Sequence, residues 1–248
     1  MKKTVFITGA TSGIGKACAE KFAENGFDLV ITGRREDRLE QVKTTLIEKY
    51  HVAVSTLCFD IQEKKAVNNA VKKLGDHQID ILINNAGLAL GRESFDEADM
   101  QDWETMIDTN VKGLLYMSRA LMPFIIKSKG HIVNIGSIAG REVYEFGNVY
   151  CASKFAVDAL TKAMRIDLLK YGIRVTSVNP GAVETEFSLV RFKGDEDKAA
   201  AMYKGFKPLT GADIADTIFF CCSLPPHVCI NDLSITCLQQ ANAFTTLK

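Results

Sequence analysis

The 248-residue chain has no excess of charge of either sign: 30 lysines and arginines stand against 30 aspartates and glutamates. Without a basic surplus little counterion release is available from a polyanion, which excludes a general nucleic-acid binder. Long apolar runs are missing too. The best candidate, Leu114 to Ile126, is interrupted by Arg119 and Pro123, whereas a membrane span needs roughly 18 or more apolar residues in a row. Met1-Lys2-Lys3 leads into only five strand-like residues before Gly9, too few for the apolar core of a secretion signal. The seven cysteines are odd in number, scattered and without a Cys-x-x-Cys pair, which fits a reduced, cytoplasmic chain. Cys221, Cys222, His227, Cys229 and Cys237 cluster late in the chain. Adjacent cysteines on a helix point to different faces, so no metal site is expected there.

What is present is an ordinary globular composition, 47% hydrophobic and 24% charged, at a length suited to one large domain. Short β-branched runs alternate with longer amphipathic stretches. Strands are expected at Thr4–Thr8, Leu29–Thr32, Ala53–Phe59, Ile79–Ile83, His131–Ile135, Arg174–Val178 and Leu233–Thr236. Helices are expected at Ile14–Glu24, Arg35–Lys49, Lys64–Leu74, Met100–Lys127, Tyr150–Tyr171 and Gly211–Ser223. Runs such as Val5-Phe6-Ile7 are apolar throughout, as a parallel strand buried on both faces requires. Strand–helix alternation along the whole chain implies right-handed crossovers and an α/β fold with a doubly wound parallel sheet. Residues 1–248 form one domain on this reading. The charged segment 184–208, outside the rhythm, is expected to be a mobile substrate flap.

The turn after the first strand reads Thr8-Gly9-Ala10-Thr11-Ser12-Gly13-Ile14-Gly15. Glycines at this spacing bring backbone N–H groups and a helix N-terminus to a pyrophosphate, in the manner of a Rossmann-type dinucleotide site. Gly9, Thr11, Ser12, Gly13, Ile14 and Gly15 are therefore candidate cofactor residues. A site for NAD wants a carboxylate at the end of the second strand. This chain has Gly33-Arg34-Arg35 there, and arginine binds a 2′-phosphate that a carboxylate would repel. The expected cofactor is NADP(H), held by Arg34 and Arg35. Asp60, with Ile61 beside it, ends the third strand; its carboxylate suits either an adenine amino group or the N-cap of the next helix.

Tyr150 and Lys154 are four residues apart on a helix and share a face. An ammonium near a phenol favours the phenolate, so this pair can exchange a proton with an alcohol oxygen. Tyr203 and Lys207 repeat the interval and receive no role. The first pair gains weight from Ser137, which follows the fifth strand where parallel sheets present groups to a ligand.

With Thr8-Gly9-x3-Gly13-Ile14-Gly15, Asn84-Asn85-Ala86-Gly87, Asn110, Ser137, Tyr150-x3-Lys154 and Asn179-Pro180-Gly181 in order, nearly the whole chain resembles the short-chain dehydrogenase/reductase family. The resemblance implies seven parallel strands in the order 3-2-1-4-5-6-7 and an active site of Asn110, Ser137, Tyr150 and Lys154. Tyr150 would exchange the proton, Ser137 hold the substrate oxygen, and Lys154 bind the nicotinamide ribose. Asn110, on a kinked helix, would hold a water. Asn85 and Gly87 would line the cofactor cleft, with Pro180, Gly181, Val183 and Thr185 on the nicotinamide side.

Further stretches resemble the branch of NADP-dependent 3-hydroxy acid dehydrogenases, which includes serine and allo-threonine dehydrogenases: Leu88-Ala89-Leu90-Gly91, Asp102 to Asn110, Gly147 to Tyr150, Glu184 to Asp195 and Pro226 to Asn231. The branch implies oxidation of short 3-hydroxy acids, or reduction of the matching semialdehydes and keto acids, by a homotetramer built on the two long helices. The chain departs from it at Phe146, where a second glycine would commonly precede Gly147. A short acid needs a cation for its desolvated carboxylate. Arg191, Lys193 and Arg141 are candidates, Arg191 first for its bidentate geometry; Glu145 would suit a substrate amino group, and His227 is read as structural. Two other readings stay open: a reductase of bulkier carbonyls (a 3-oxoacyl thioester, steroid or quinone) and a catalytically idle NADP-binding sensor.

Overall fold

The computed structural model describes residues 2–247. Seven parallel strands run β3-β2-β1-β4-β5-β6-β9: β1 Thr4–Ile7, β2 Asp28–Gly33, β3 Val54–Cys58, β4 Ile81–Asn84, β5 His131–Ile135, β6 Arg174–Pro180 and β9 Asp232–Ile235. This is the expected order, with β9 as the seventh strand. The strands alternate sides with period two, which explains their continuous apolar runs. Val5, Ile7, Leu29, Ile31, Ile81, Ile83, Val133 and Ile135 face one core. Phe6, Val30, Leu82 and Ile132 face the other.

The first core is covered by α1 (Gly13–Glu24), α2 (Glu36–Tyr50) and α9 (Gly211–Ser223), through Phe22, Leu39, Leu46, Ile214 and Ile218. On the opposite face lie α3 (Lys64–Lys72), α5 (Leu114–Ser128) and α6 (Asn148–Leu168), through Val67, Met117, Leu121, Ile125 and Leu168. The chain leaves β1 through α1 to β2 on one side, and returns from β3 through α3 to β4 on the other side of β1. At such a switch point the loops beyond the strand ends diverge and leave a crevice.

Two expectations need correction. The helix expected over Met100–Lys127 is divided into α4 (Met100–Ile107), a π-helical stretch Asp108–Gly113 and α5. Its apolar pattern is continuous, so periodicity alone hides the extra residue. Asn110 lies in that stretch. The fourth strand begins at Ile81 rather than Ile79; before it, Asp80 donates its N–H to Thr4 O at 2.9 Å, and its carboxylate accepts from the Thr4 N–H at 2.8 Å. Segment 184–208 carries short elements: β7 (Val183–Glu184) pairs in parallel with β8 (Leu209–Thr210), enclosing α7 (Glu186–Arg191) and α8 (Glu196–Ala201). A reciprocal cap between Thr210 and Asp213 then starts α9.

Candidate active site

A cavity of about 450 Å³ opens beyond the carboxyl ends of the strands, where β1 stands between β2 and β4. Its nucleotide side is built on the glycine turn. Gly9 and Gly13 hold φ of 68° and 53°, left-handed values that favour glycine. A Cβ on Gly15 would lie 2.3 Å from the Gly9 carbonyl oxygen, so no larger residue fits. The Asn85 amide braces the same turn, donating to Thr8 O at 2.8 Å and Gly9 O at 3.1 Å. Thr185 packs on Gly13 from the far wall, and its hydroxyl caps α7 by accepting from Phe187 N.

The two arginines after β2 are used differently. Arg34 is exposed, with Nη1 3.4 Å from an Asp60 oxygen. Arg35 donates to Thr11 Oγ1 at 2.8 Å and Ser12 Oγ at 3.0 Å, and its Nη1 reaches Glu186 at 2.9 Å. Asp60 is not the N-cap of α3, which is Glu63; it accepts from Gln62 N at 3.0 Å and closes a turn before that helix.

The opposite end of the cavity holds Ser137, Tyr150 and Lys154, all buried. Ser137 Oγ accepts from Ala139 N, which opens a short 3₁₀ turn, and donates to Pro180 O at 3.4 Å. Lys154 packs over the Tyr150 ring from the next turn of α6. Its Nζ donates to Ile135 O at 2.9 Å and sits 5.9 Å from the Tyr150 ring centre. Burial lowers Lys154 to a pKa of about 8. Burial likewise pushes the Tyr150 phenol up, against the lowering effects of Ser137 and Arg191. In the free chain the dry surroundings outweigh the neighbouring charge.

Of the expected residues, Gly9, Thr11, Ser12, Gly13, Ile14, Arg34, Arg35, Asp60, Ile61, Asn85, Gly87, Ser137, Tyr150, Lys154, Pro180, Gly181, Val183, Thr185 and Arg191 all meet on this one cavity. Gly15 lies behind the wall. Asn110 does too: its amide is spent on Leu88 N, Leu88 O and Ser153 Oγ, so it braces the wall from behind. Among the candidate cations, Arg141 turns away to Asp158 and Asp232, and Lys193 ties the flap to Asp102 at 2.8 Å. Glu145 and His227 are exposed and outside the wall. Phe146 takes φ of 62°, a glycine-favouring value, but its side chain also stays outside.

Arg191 is different. It is 6% exposed, and its partners are neutral: Nε donates to Gly91 O at 3.1 Å and Nη1 to the Tyr144 hydroxyl at 2.9 Å. Its guanidinium carbon lies 5.7 Å from the Tyr150 ring centre and 5.6 Å from that of Tyr144. Tyr144, Phe187, Tyr203 and Arg92 also line this end, and none was singled out from the sequence for a role. Tyr203 Oη meets Ser188 at 2.6 Å and donates to Val183 O at 2.8 Å.

This combination of glycine turn, Ser–Tyr–Lys group and parallel sheet has a match. A family model described as short chain dehydrogenase covers residues 3–195. The chain belongs to the short-chain dehydrogenase family. It is similar to a sulfoacetaldehyde reductase of Chromohalobacter salexigens, 46% identical over 245 residues, 97% of this chain and 96% of that protein. It is also similar to the NADP-dependent 3-hydroxy acid dehydrogenase YdfG of Salmonella typhi, 44% identical over 243 residues, 96% of each. The closed form of a serine dehydrogenase complexed with NADP+ superposes with a TM-score of 0.91 at 41% identity, covering 99% of both chains.

Proposed function

We propose that the chain is an NADP(H)-dependent oxidoreductase of short acids, acting on the 3-hydroxyl of serine-, allo-threonine- or 3-hydroxypropionate-type molecules or on the matching semialdehydes. The observation that carries this reading is Arg191. A buried guanidinium without a carboxylate partner is costly, and this one stands beside Tyr150 with N–H groups left to donate. An acid group held there leaves the substrate's oxygen-bearing carbon near the phenol.

The nucleotide end fits NADP(H). Glycines without room for a Cβ admit a pyrophosphate, and the uncommitted Arg34 suits a 2′-phosphate. Bound there, the cofactor supplies or accepts the hydride. The chain's own residues do the rest. Ser137 holds the substrate oxygen, and Tyr150 gives it a proton in reduction or takes one in oxidation. Lys154, anchored on Ile135 O, places a cation on the ribose side, while Asn110 fixes the wall through Leu88 and Ser153. The segment between β7 and β8 serves as the lid. Exposed Phe155, Ile166 and Leu169 along and just after α6 suit a homotetramer packed through the long helices. The seven unpaired cysteines suit a reduced cytoplasm. No described helix is long and apolar enough to cross a membrane.

The test is absorbance of the reduced nicotinamide with NADP or NAD and serine, allo-threonine, 3-hydroxypropionate or sulfoacetaldehyde. NADP-dependent turnover of at least one short acid is expected. Turnover confined to bulky uncharged ketones would replace this reading with that of a general carbonyl reductase, and binding of NADPH without turnover would make the chain a sensor.

A further inference from the structure

The substrate end of the cavity carries two guanidiniums, not one. Gly91 is clasped to the flap by two bonds, its N–H donating to Arg191 O at 2.9 Å and its carbonyl accepting from Arg191 Nε at 3.1 Å. The next residue in the chain is Arg92, which lines the same cavity. Its side chain donates to the Met202 thioether at 3.2 Å, a weak acceptor that neutralises nothing.

Among the described residues no carboxylate pairs with Arg92, although Glu93 lies against Gly91. Glu93, Asp99 and Asp102 are grouped around Lys193. Among the residues lining the cavity, the acids are Asp60 and Glu186, facing Arg34 and Arg35 at the nucleotide end. A monoanionic acid would neutralise Arg191 and leave Arg92, exposed on the cavity wall, free to take a second charge.

We propose that this end of the pocket selects a substrate bearing two negative charges, Arg191 holding one and Arg92 the other. The charges sit on one tetrahedral group, as in a phosphonate, or on two carboxylates of a short hydroxy dicarboxylate. The inference rests on the short-acid reading above and narrows it.

Two matched pairs test it with the intact enzyme and NADP(H). Phosphonoacetaldehyde and sulfoacetaldehyde share a shape and differ by one charge above the second phosphonate ionisation. The second pair is 3-hydroxyglutarate and 3-hydroxybutyrate, which differ by a carboxylate. In at least one pair the dianion is expected to exceed the monoanion roughly tenfold in kcat/KM, one close charge pair's worth; the responding pair identifies where the charges sit. Arg92→Gln is expected to erase most of that ratio and Arg92→Lys to restore part of it. Equal rates within both pairs, or a dianion preference that survives Arg92→Gln, overturns the inference while the short-acid reading stands. No turnover of any of the four compounds, with a bulky ketone reduced, overturns both.

Discussion

Glu186, the first residue of α7, and Arg35, the N-cap of α2, meet at 2.9 Å across the mouth of the nucleotide cleft. The same carboxylate reaches Arg38 at 2.7 Å. Burial by itself would raise Glu186, but the two arginines outweigh it and hold the carboxylate low. It therefore stays charged where a 2′-phosphate would approach. Replacing it with the neutral isostere, Glu186→Gln, is expected to tighten NADPH binding roughly threefold to tenfold, measured by fluorescence titration. Weaker binding than wild type would mean that Glu186 supports the cofactor instead of competing with it.

The same contacts divide the work of the two arginines. Arg34 has only the 3.4 Å approach to Asp60, whereas Arg35 is committed to Thr11, Ser12 and Glu186. Arg34→Ala is expected to lower the NADP-over-NAD ratio of kcat/KM by about tenfold to a hundredfold, the loss of a charge-assisted bond. Arg35→Ala is expected to raise the Michaelis constant for both nucleotides, because it loosens the glycine turn they share. Identical changes in the two variants would refute the division.

Tyr150→Phe keeps the ring that packs edge-on against Phe187 at 5.7 Å and removes the phenolic proton. Turnover is expected to fall by roughly 10²–10⁴, the usual worth of a positioned acid or base. NADPH binding and the thermal midpoint should stay near wild type. Normal rates would remove Tyr150 from proton transfer.

Acid sensitivity follows from His131 on β5. It is fully buried, shares a 2.7 Å bond with Thr176, and is pushed down to a pKa of about 3 by burial, helped by Arg174. Unfolded, a histidine titrates near 6.5. Between those values the unfolded chain binds a proton that the folded chain refuses. Stability therefore falls as pH drops below about 6.5, by about 1.4 kcal/mol per pH unit, and is untouched above it. Urea midpoints measured over that range should show the slope in wild type and a shallower one in His131→Gln.

Much of this was legible because the physics is local. Period-two burial marks the strands, three glycines mark the turn, and helical spacing sets Tyr150 and Lys154 on one face. What the spacing could not tell is which atom the lysine reaches; the Ile135 carbonyl takes it, a neighbour 19 positions away. The π-helical stretch around Asn110 leaves the apolar pattern intact, and two-residue strands such as β7 and β8 are too short to have a period. Tyr144 and Arg92 look like ordinary loop residues until Gly91 is seen clasped to Arg191. Contacts of that kind, 100 positions apart, exist only after folding.

The pairing of β7 with β8 has an evolutionary consequence. It ties off residues 185–208 as a loop with fixed ends, and closing a longer loop costs only about 0.6 kcal/mol per doubling of its length. The turn after β5 and helix α6 keep Ser137, Tyr150 and Lys154, while Arg191, Phe187 and Tyr203 belong to the tied-off loop. Beyond Thr185 and Glu186, which touch the nucleotide end, that loop is an exchangeable cassette: new sequences inserted there can change what the pocket admits while Ser137, Tyr150 and Lys154 stay in place.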